Sequence, residues 1–174
     1  ITAMSPLCYK ILFLEDNSGD IKLMLLELEK AGLQISHKVV SSKKDFLSAL
    51  ENFQPDVILA DYLLPTFNGM HAFRLFKEQN IFIPFILVTG MLSEELSIEC
   101  LSEGVDDFLL KSSYKRLPHI IIRNLEIKQA EKEKQKVAND LEKKTAELIK
   151  LRDEAERARA HERLSKREFE ILCL

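Results

Sequence analysis

The chain has 174 residues and a formal net charge of −3. That length suits one ordinary domain plus something elongated, and the near balance of charge argues against binding nucleic acid or membrane through bulk electrostatics. Its cysteines, Cys8, Cys100 and Cys173, lie far apart without CxxC or Cys/His spacing, which argues against a zinc site or disulfide framework and fits a reducing compartment.

The opening ITAMS does not start with Met. It is read as a remnant of expression, with Met4 nearer the native start, and no signal peptide is visible. The first strand is KILFL (10–14), closed by Glu15 and Asp16. A helical pattern, DIKLMLLELEKAG, runs from Asp20 to a stop at Gly32. ISHKVV (35–40) is the second strand. SKKDFLSALENF follows as a helix, with Ser42 and Asp45 at capping-box spacing. VILA (57–60) is nearly all aliphatic and is closed by Asp61. GMHAFRLFKEQN is the next helix. PFILV (84–88) ends in Thr89 and Gly90, and the apolar run that contains it, IFIPFILV from Ile81, is too short to span a bilayer. SEELSIECLSEG is a helix closed by Gly104, and DFLL (107–110) ends in Lys111.

Nearly continuous apolar strands alternating with helices predict an α/β fold, a five-stranded parallel sheet with helices on both faces. Ligands of such sheets bind beyond the carboxyl ends of the strands. Glu15, Asp16, Asp61, Thr89 and Lys111 all fall there. Three carboxylates close together repel, so a lysine or a hard cation must hold them, and Mg²⁺ suits an oxygen-only site. A carboxylate beside Mg²⁺ and a lysine can attack phosphorus and become an acyl phosphate.

These residues in this order, with LPTFNG (64–69) after the aspartate and EGVDDFLLKS (103–112) near the end, resemble a response-regulator receiver domain of two-component signalling. The resemblance implies a flavodoxin-like (βα)5 fold over about residues 7–117. It implies that Asp61 accepts a phosphoryl group from a sensor histidine kinase or phosphotransfer protein. Asp16 would bind Mg²⁺ directly and Glu15 through water, with Asp61 and the Leu63 carbonyl as further ligands. Thr89 and Lys111 would contact the phosphoryl group, and Phe108 would be the switch aromatic. Such a protein is a phosphoacceptor in the cytoplasm rather than an enzyme with a turnover substrate. One departure is Ser112, where the family usually has a proline, often after a cis bond; a cis bond without proline costs about 2.5–4 kcal/mol.

Alone, Asp61 reads as a strand-end cap, Thr89 and Lys111 as solvated strand ends, and Phe108 as core; only their joint order promotes them. His37, His71, His119 and His161 have no partners at useful spacing. A phosphatase with an aspartate nucleophile of the haloacid-dehalogenase kind would carry a second Asp two residues on, where this chain has Leu63.

Beyond residue 120 the composition changes. From Asn124 to Ser165 there is no aromatic residue, and about half the residues are charged. Pro118 suits the first turn of a helix, and no Gly or Pro follows it. A heptad register sets Ile120, Ile127, Lys134, Leu141, Leu148 and Ala155 at a, and Arg123, Ala130, Val137, Lys144, Leu151 and Ala158 at d. This predicts a long C-terminal coiled-coil helix over 118–163, pairing as a parallel homodimer; a lone charged helix is the alternative. Interspersed charge signs argue against a membrane-surface helix. The end, LSKREFEILCL (164–174), has Ser165 and Glu168 at capping-box spacing and resembles the opening helix of a LuxR-type helix-turn-helix domain. That resemblance implies a transcriptional output, with DNA bound only through residues absent from this chain. A non-DNA output, or a dimerisation module independent of phosphorylation, is the alternative.

Overall fold

The structure is a computed structural model that describes residues 8–91 and 93–173, apart from the side chain of Leu101. Met4 and the expected boundaries at residues 7 and 174 lie outside the described residues. Five strands form one parallel sheet: β1 (Tyr9–Leu14), β2 (Ile35–Val40), β3 (Val57–Asp61), β4 (Phe85–Thr89) and β5 (Asp107–Leu110), in the order β2-β1-β3-β4-β5. The intervening helices are α1 (Ser18–Lys30), α2 (Lys43–Asn52), α3 (Gly69–Glu78) and α4 (Glu94–Glu103). A 3-10 turn, Lys111–Arg116, leads into α5 (Leu117–Leu172). The flavodoxin-like fold expected from the sequence is the one observed.

Successive strand residues face opposite sides of the sheet. Leu12, Leu14, Ile58, Ala60, Phe85 and Leu87 therefore pack with Phe46 of α2, Phe73 and Phe76 of α3, and Cys100 of α4. Ile11, Phe13, Leu59, Ile86 and Val88 pack on the other side with Met24 and Leu28 of α1 and with Leu117, Ile120 and Ile121 of α5. The two edge strands depart from the buried pattern: β2 has four exposed residues in its middle, and β5 buries only Leu109.

Helix starts are fixed by side-chain caps. Asn17 accepts from the backbone N–H of Gly19 and Asp20, Ser42 from Asp45, Asn68 from His71 and Ser93 from Leu96. The capping box expected at Ser42 is half formed. Asp45 is too short to reach back to the backbone, and the Ser42 hydroxyl donates to its carboxylate at 2.7 Å instead. Gly104 closes α4 in the left-handed conformation, with φ of 84°. Gly69 has a different reason: a Cβ there would lie 2.9 Å from the Asp61 carbonyl oxygen and 2.5 Å from Leu87.

The chain divides into two units, one ending at Gln129 and one beginning at Ala130. Within the first, α5 enters the core through Leu117, Ile120, Ile121 and Asn124. Ile120, read from the sequence as a coiled-coil position, belongs to this core instead. In the second unit α5 continues to Leu172 through residue 164, so Ser165 does not begin a new helix. The segment lacks Gly and Pro and is rich in strong helix formers, which outweighs a capping signature. Val137, Leu141, Leu148 and Leu151 are exposed along it. No helix among the described residues is long and apolar enough to cross a membrane.

Candidate functional site

Glu15 follows β1 directly. Its backbone N–H donates to the Val40 carbonyl at 3.0 Å, which extends the ladder by one residue and turns the side chain into the sheet end. The carboxylate is buried and accepts from the backbone N–H of Asp16 and Asn17 at 3.1 and 2.9 Å. Burial pushes the Glu15 carboxyl above the ordinary range and the nearby Asp61 adds to this, while the Asn17 N–H and Lys111 oppose it. Asp16, next along, is exposed.

Asp61 is the last residue of β3 and is buried. One carboxylate oxygen accepts from the Leu63 N–H at 3.0 Å, and the other meets Lys111 Nζ at 2.8 Å. Lys111, the first residue after β5, also reaches Glu15 at 3.1 Å and Asp20 at 2.6 Å. Burial alone would lower the lysine's pKa, but hydrogen bonds to Asp20, Asp61 and Glu15 outweigh it and hold the ammonium charged well above its ordinary range. Ligand oxygens of Glu15, Asp16 and Asp61 lie within 4.8 Å of one another. An all-oxygen set with an exposed member fits a small hard cation that keeps several waters, as Mg²⁺ does.

Other expected residues are less engaged. Thr89 ends β4 and is buried, but its hydroxyl donates to the Met91 carbonyl at 2.8 Å, so it is tied to its own loop. Phe108 of β5 is 38 % exposed. Leu63 is exposed beside Asp61. No peptide bond is cis among the described residues, so Lys111–Ser112 is trans.

Two residues of this cluster escaped the sequence analysis. Asp20 sits in the first turn of α1 because Asn17 is the cap and the helix begins at Ser18, two residues before the start read from the pattern. Side chains of a first turn point back toward the helix N-terminus, here toward Lys111. Tyr114 lies in the 3-10 turn after Lys111 and is buried. The first was findable from Asn-x-x-Asp directly after the acidic pair; the second had no periodicity to reveal it.

Residues 11–122 match the family described as response regulator receiver domain. The chain belongs to that family. It therefore carries the receiver domain of a two-component response regulator. It is 36 % identical over 84 residues to a protein-glutamate methylesterase/protein-glutamine glutaminase of Treponema denticola, covering 47 % of this chain and 22 % of that one. It is 26 % identical over 102 residues to the alkaline phosphatase synthesis transcriptional regulatory protein PhoP of Bacillus subtilis, covering 59 % and 42 %. The chain thus spans less than half of these relatives' lengths, and their names indicate different outputs. Among solved structures, the receiver domain of a sensor histidine kinase from Pseudomonas aeruginosa superposes with a TM-score of 0.59 at 25 % identity, covering 68 % of this chain and 98 % of that one. That structure has a magnesium ion coordinated in its active-site cleft.

Proposed function

We propose that this receiver is a phosphoacceptor whose nucleophile is Asp61, loaded by a sensor histidine kinase or phosphotransfer protein. The observation that carries the reading is the Lys111 ammonium bonded at 2.8 Å to Asp61, in contact with Glu15 as well, at the carboxyl end of the sheet. An Asp61 oxygen attacks the phosphorus of a phosphohistidine. The P–N bond breaks as the O–P bond forms, and the imidazole nitrogen leaves and takes up a proton. Lys111 neutralises charge gathering on the equatorial oxygens. Asp16, Asp61, the Leu63 carbonyl and, through water, Glu15 would hold Mg²⁺, which supplies further neutralisation when bound. Thr89 exchanges Met91 for a phosphoryl oxygen, and Phe108 turns inward behind it. Beyond loading and loss of its own phosphoryl group the protein is not an enzyme.

The output reading joins this to the rest of the chain. The receiver spans residues 7–117 together with the buried turns of α5. Residues 118–163, less those turns, pair two copies in parallel, and 164–174 open a LuxR-type DNA-binding domain completed by further residues. Exposed Val137, Leu141, Leu148 and Leu151 at seam spacing support the pairing. The setting is cytoplasmic, and the result is transcriptional control by phosphorylation.

Incubation with Mg²⁺ and a small phosphodonor should add one acid-stable, base-labile phosphoryl group. Asp61→Asn should abolish it; equal labelling of that variant removes Asp61 from the role.

A further inference from the structure

Tyr114 is the loose end of the site. It is 8 % exposed, and its hydroxyl has no hydrogen-bond partner among the described residues. A buried polar group without a partner costs folding free energy and calls for an explanation. The groups acting on it are those of the cluster. Burial, then the Asp20 carboxylate, hold its pKa above the ordinary tyrosine range, with smaller effects of Lys111 and Glu15. Yet no hydrogen bond of ordinary geometry joins Tyr114 to Asp20, whose side-chain contact is through one carboxylate oxygen to Lys111. That oxygen accepts from Lys111 Nζ at 2.6 Å, the shortest of the lysine's three ion pairs. Asp20 is also not among the three carboxylates clustered closely enough to share a cation. One carboxylate therefore stands beside two donors and serves one of them.

We infer that Asp20 is a positioning residue that serves these donors in turn: it holds Lys111 while Asp61 is a free carboxylate, and it takes the Tyr114 hydroxyl once Asp61 carries a phosphoryl group. The inference rests on the phosphoacceptor reading. A phosphoryl group brings about −1.5 to −2 of charge and three strong acceptor oxygens, against the single charge of Asp20. The ammonium follows the larger charge. Asp20, partly buried and stripped of its cation, then needs a donor, and Tyr114 is the donor at hand. Tyr114 lies three residues before Leu117, where α5 begins. The exchange thus carries the state of Asp61 to the root of α5 by a route separate from Thr89 and Phe108.

The chain has three tyrosines. Tyrosine labelled with carbon-13 at Cζ gives three signals, and Tyr114→Phe identifies the one that matters. Mg²⁺ with beryllofluoride loads Asp61 without turnover, and fluorine resonances of the bound group report the loading independently. The Tyr114 signal should move downfield on loading in the unmutated chain. It should stay in place in loaded Asp20→Ala, and the movement should return in part in Asp20→Glu. An unmoved signal in the loaded unmutated chain overturns the inference whatever the variants do, as does an undiminished shift in Asp20→Ala. Loading that persists in Asp61→Asn is a separate result, and it overturns the phosphoacceptor reading instead.

Discussion

Replacing Lys111 by Met keeps most of its length and removes its charge. The structure then leaves three carboxylates without their common cation: Glu15, Asp61 and Asp20, with side chains 2 %, 6 % and 18 % exposed. Removing one partner of a buried ion pair costs about 3–5 kcal/mol. Lys111 is itself 22 % exposed, so solvent screens part of this, and about 2–3 kcal/mol is the reasonable expectation. Against a domain stability of about 5–15 kcal/mol, the variant still folds. With a urea slope of about 1–3 kcal/mol per molar, its unfolding midpoint should fall by roughly 1–2 M in chelator. Mg²⁺ should reverse most of the loss, because it supplies to Glu15 and Asp61, two of the lysine's three partners, the charge the lysine supplied; at a hundredfold excess over its dissociation constant a ligand adds about 2.7 kcal/mol. Mg²⁺ should also bind the variant more tightly, since no ammonium competes. Acid should rescue it in the same way. The Glu15 carboxyl is already raised, so the folded state holds more protons than the unfolded state just above the ordinary carboxylate range, and stability falls as pH rises through that window. The charge of Lys111 is raised out of reach and adds no neutral-range dependence of its own. Urea titrations of both proteins with and without Mg²⁺ decide the matter. Equal midpoints in chelator, or an equal Mg²⁺ increment in both, would refute the reasoning.

Gly69→Ala should destabilise by about 1–3 kcal/mol, since the new methyl meets the Asp61 carbonyl and Leu87; chemical denaturation measures it, and an unchanged midpoint would mean that α3 simply slides aside. Leu63 and Met91 are 69 % and 77 % exposed beside the ends of β3 and β4, and neither side chain can hydrogen-bond an attacking water, so phospho-Asp61 should decay slowly. Leu63→Asn with Met91→Glu should hasten the decay in a phosphoryl-loss assay, and an unchanged half-life would dismiss the shielding. Single cysteines at Leu148 should cross-link homodimers under oxidation, whereas a mixed pair, Cys at Lys134 in one chain and at Ala155 in the other, should not. Efficient linking of the mixed pair would mean antiparallel chains.

Strand ends were legible because each polar group of the site stands directly after an apolar run: Glu15 after KILFL, Asp61 after VILA, Lys111 after DFLL. Hydrophobic pattern and chemistry change at the same residue, so one observation locates both. Asp20 was hidden by a helix start set two residues late, which made a first-turn carboxylate look like a boundary. Tyr114 was hidden because a 3-10 turn has no amphipathic period. Ile120 was misassigned for a related reason. An apolar stripe at helical spacing declares that it faces something, but not whether that is a sheet of the same chain or a second helix. The structure divides the stripe: Ile120 and Ile121 go to the sheet, while Val137 and Leu141 remain exposed. Ser165 and Glu168 carry a start signal that the surrounding helix formers override.

Strand β5 is held at both ends by charged groups, which makes its four residues a short strut between the chemistry and α5. At its far end Lys111 is gripped by the carboxylates of the cluster. At its near end Asp107 accepts from the Phe108 N–H with one oxygen, at 2.9 Å, and from the side-chain amide of Asn124 with the other, also at 2.9 Å. Asn124 is buried and its side-chain amide also donates to the Ile120 carbonyl at 2.8 Å, so breaking the Asp107 bond would leave one of its two N–H groups unpaired, and the bond is correspondingly hard to give up. One turn further along α5, Lys128 meets Asp106 at 2.7 Å and lies over the Phe82 ring. Asp106 in turn accepts from the Phe85 N–H at the start of β4. Any displacement of Lys111 therefore acts on a strand whose opposite end is fastened to the helix by hydrogen bonds rather than by apolar contact alone. Apolar surfaces slide past one another at little cost; a satisfied buried amide does not. The receiver's hold on α5 is in this sense directional, set by Asn124 and Lys128 on one helix face.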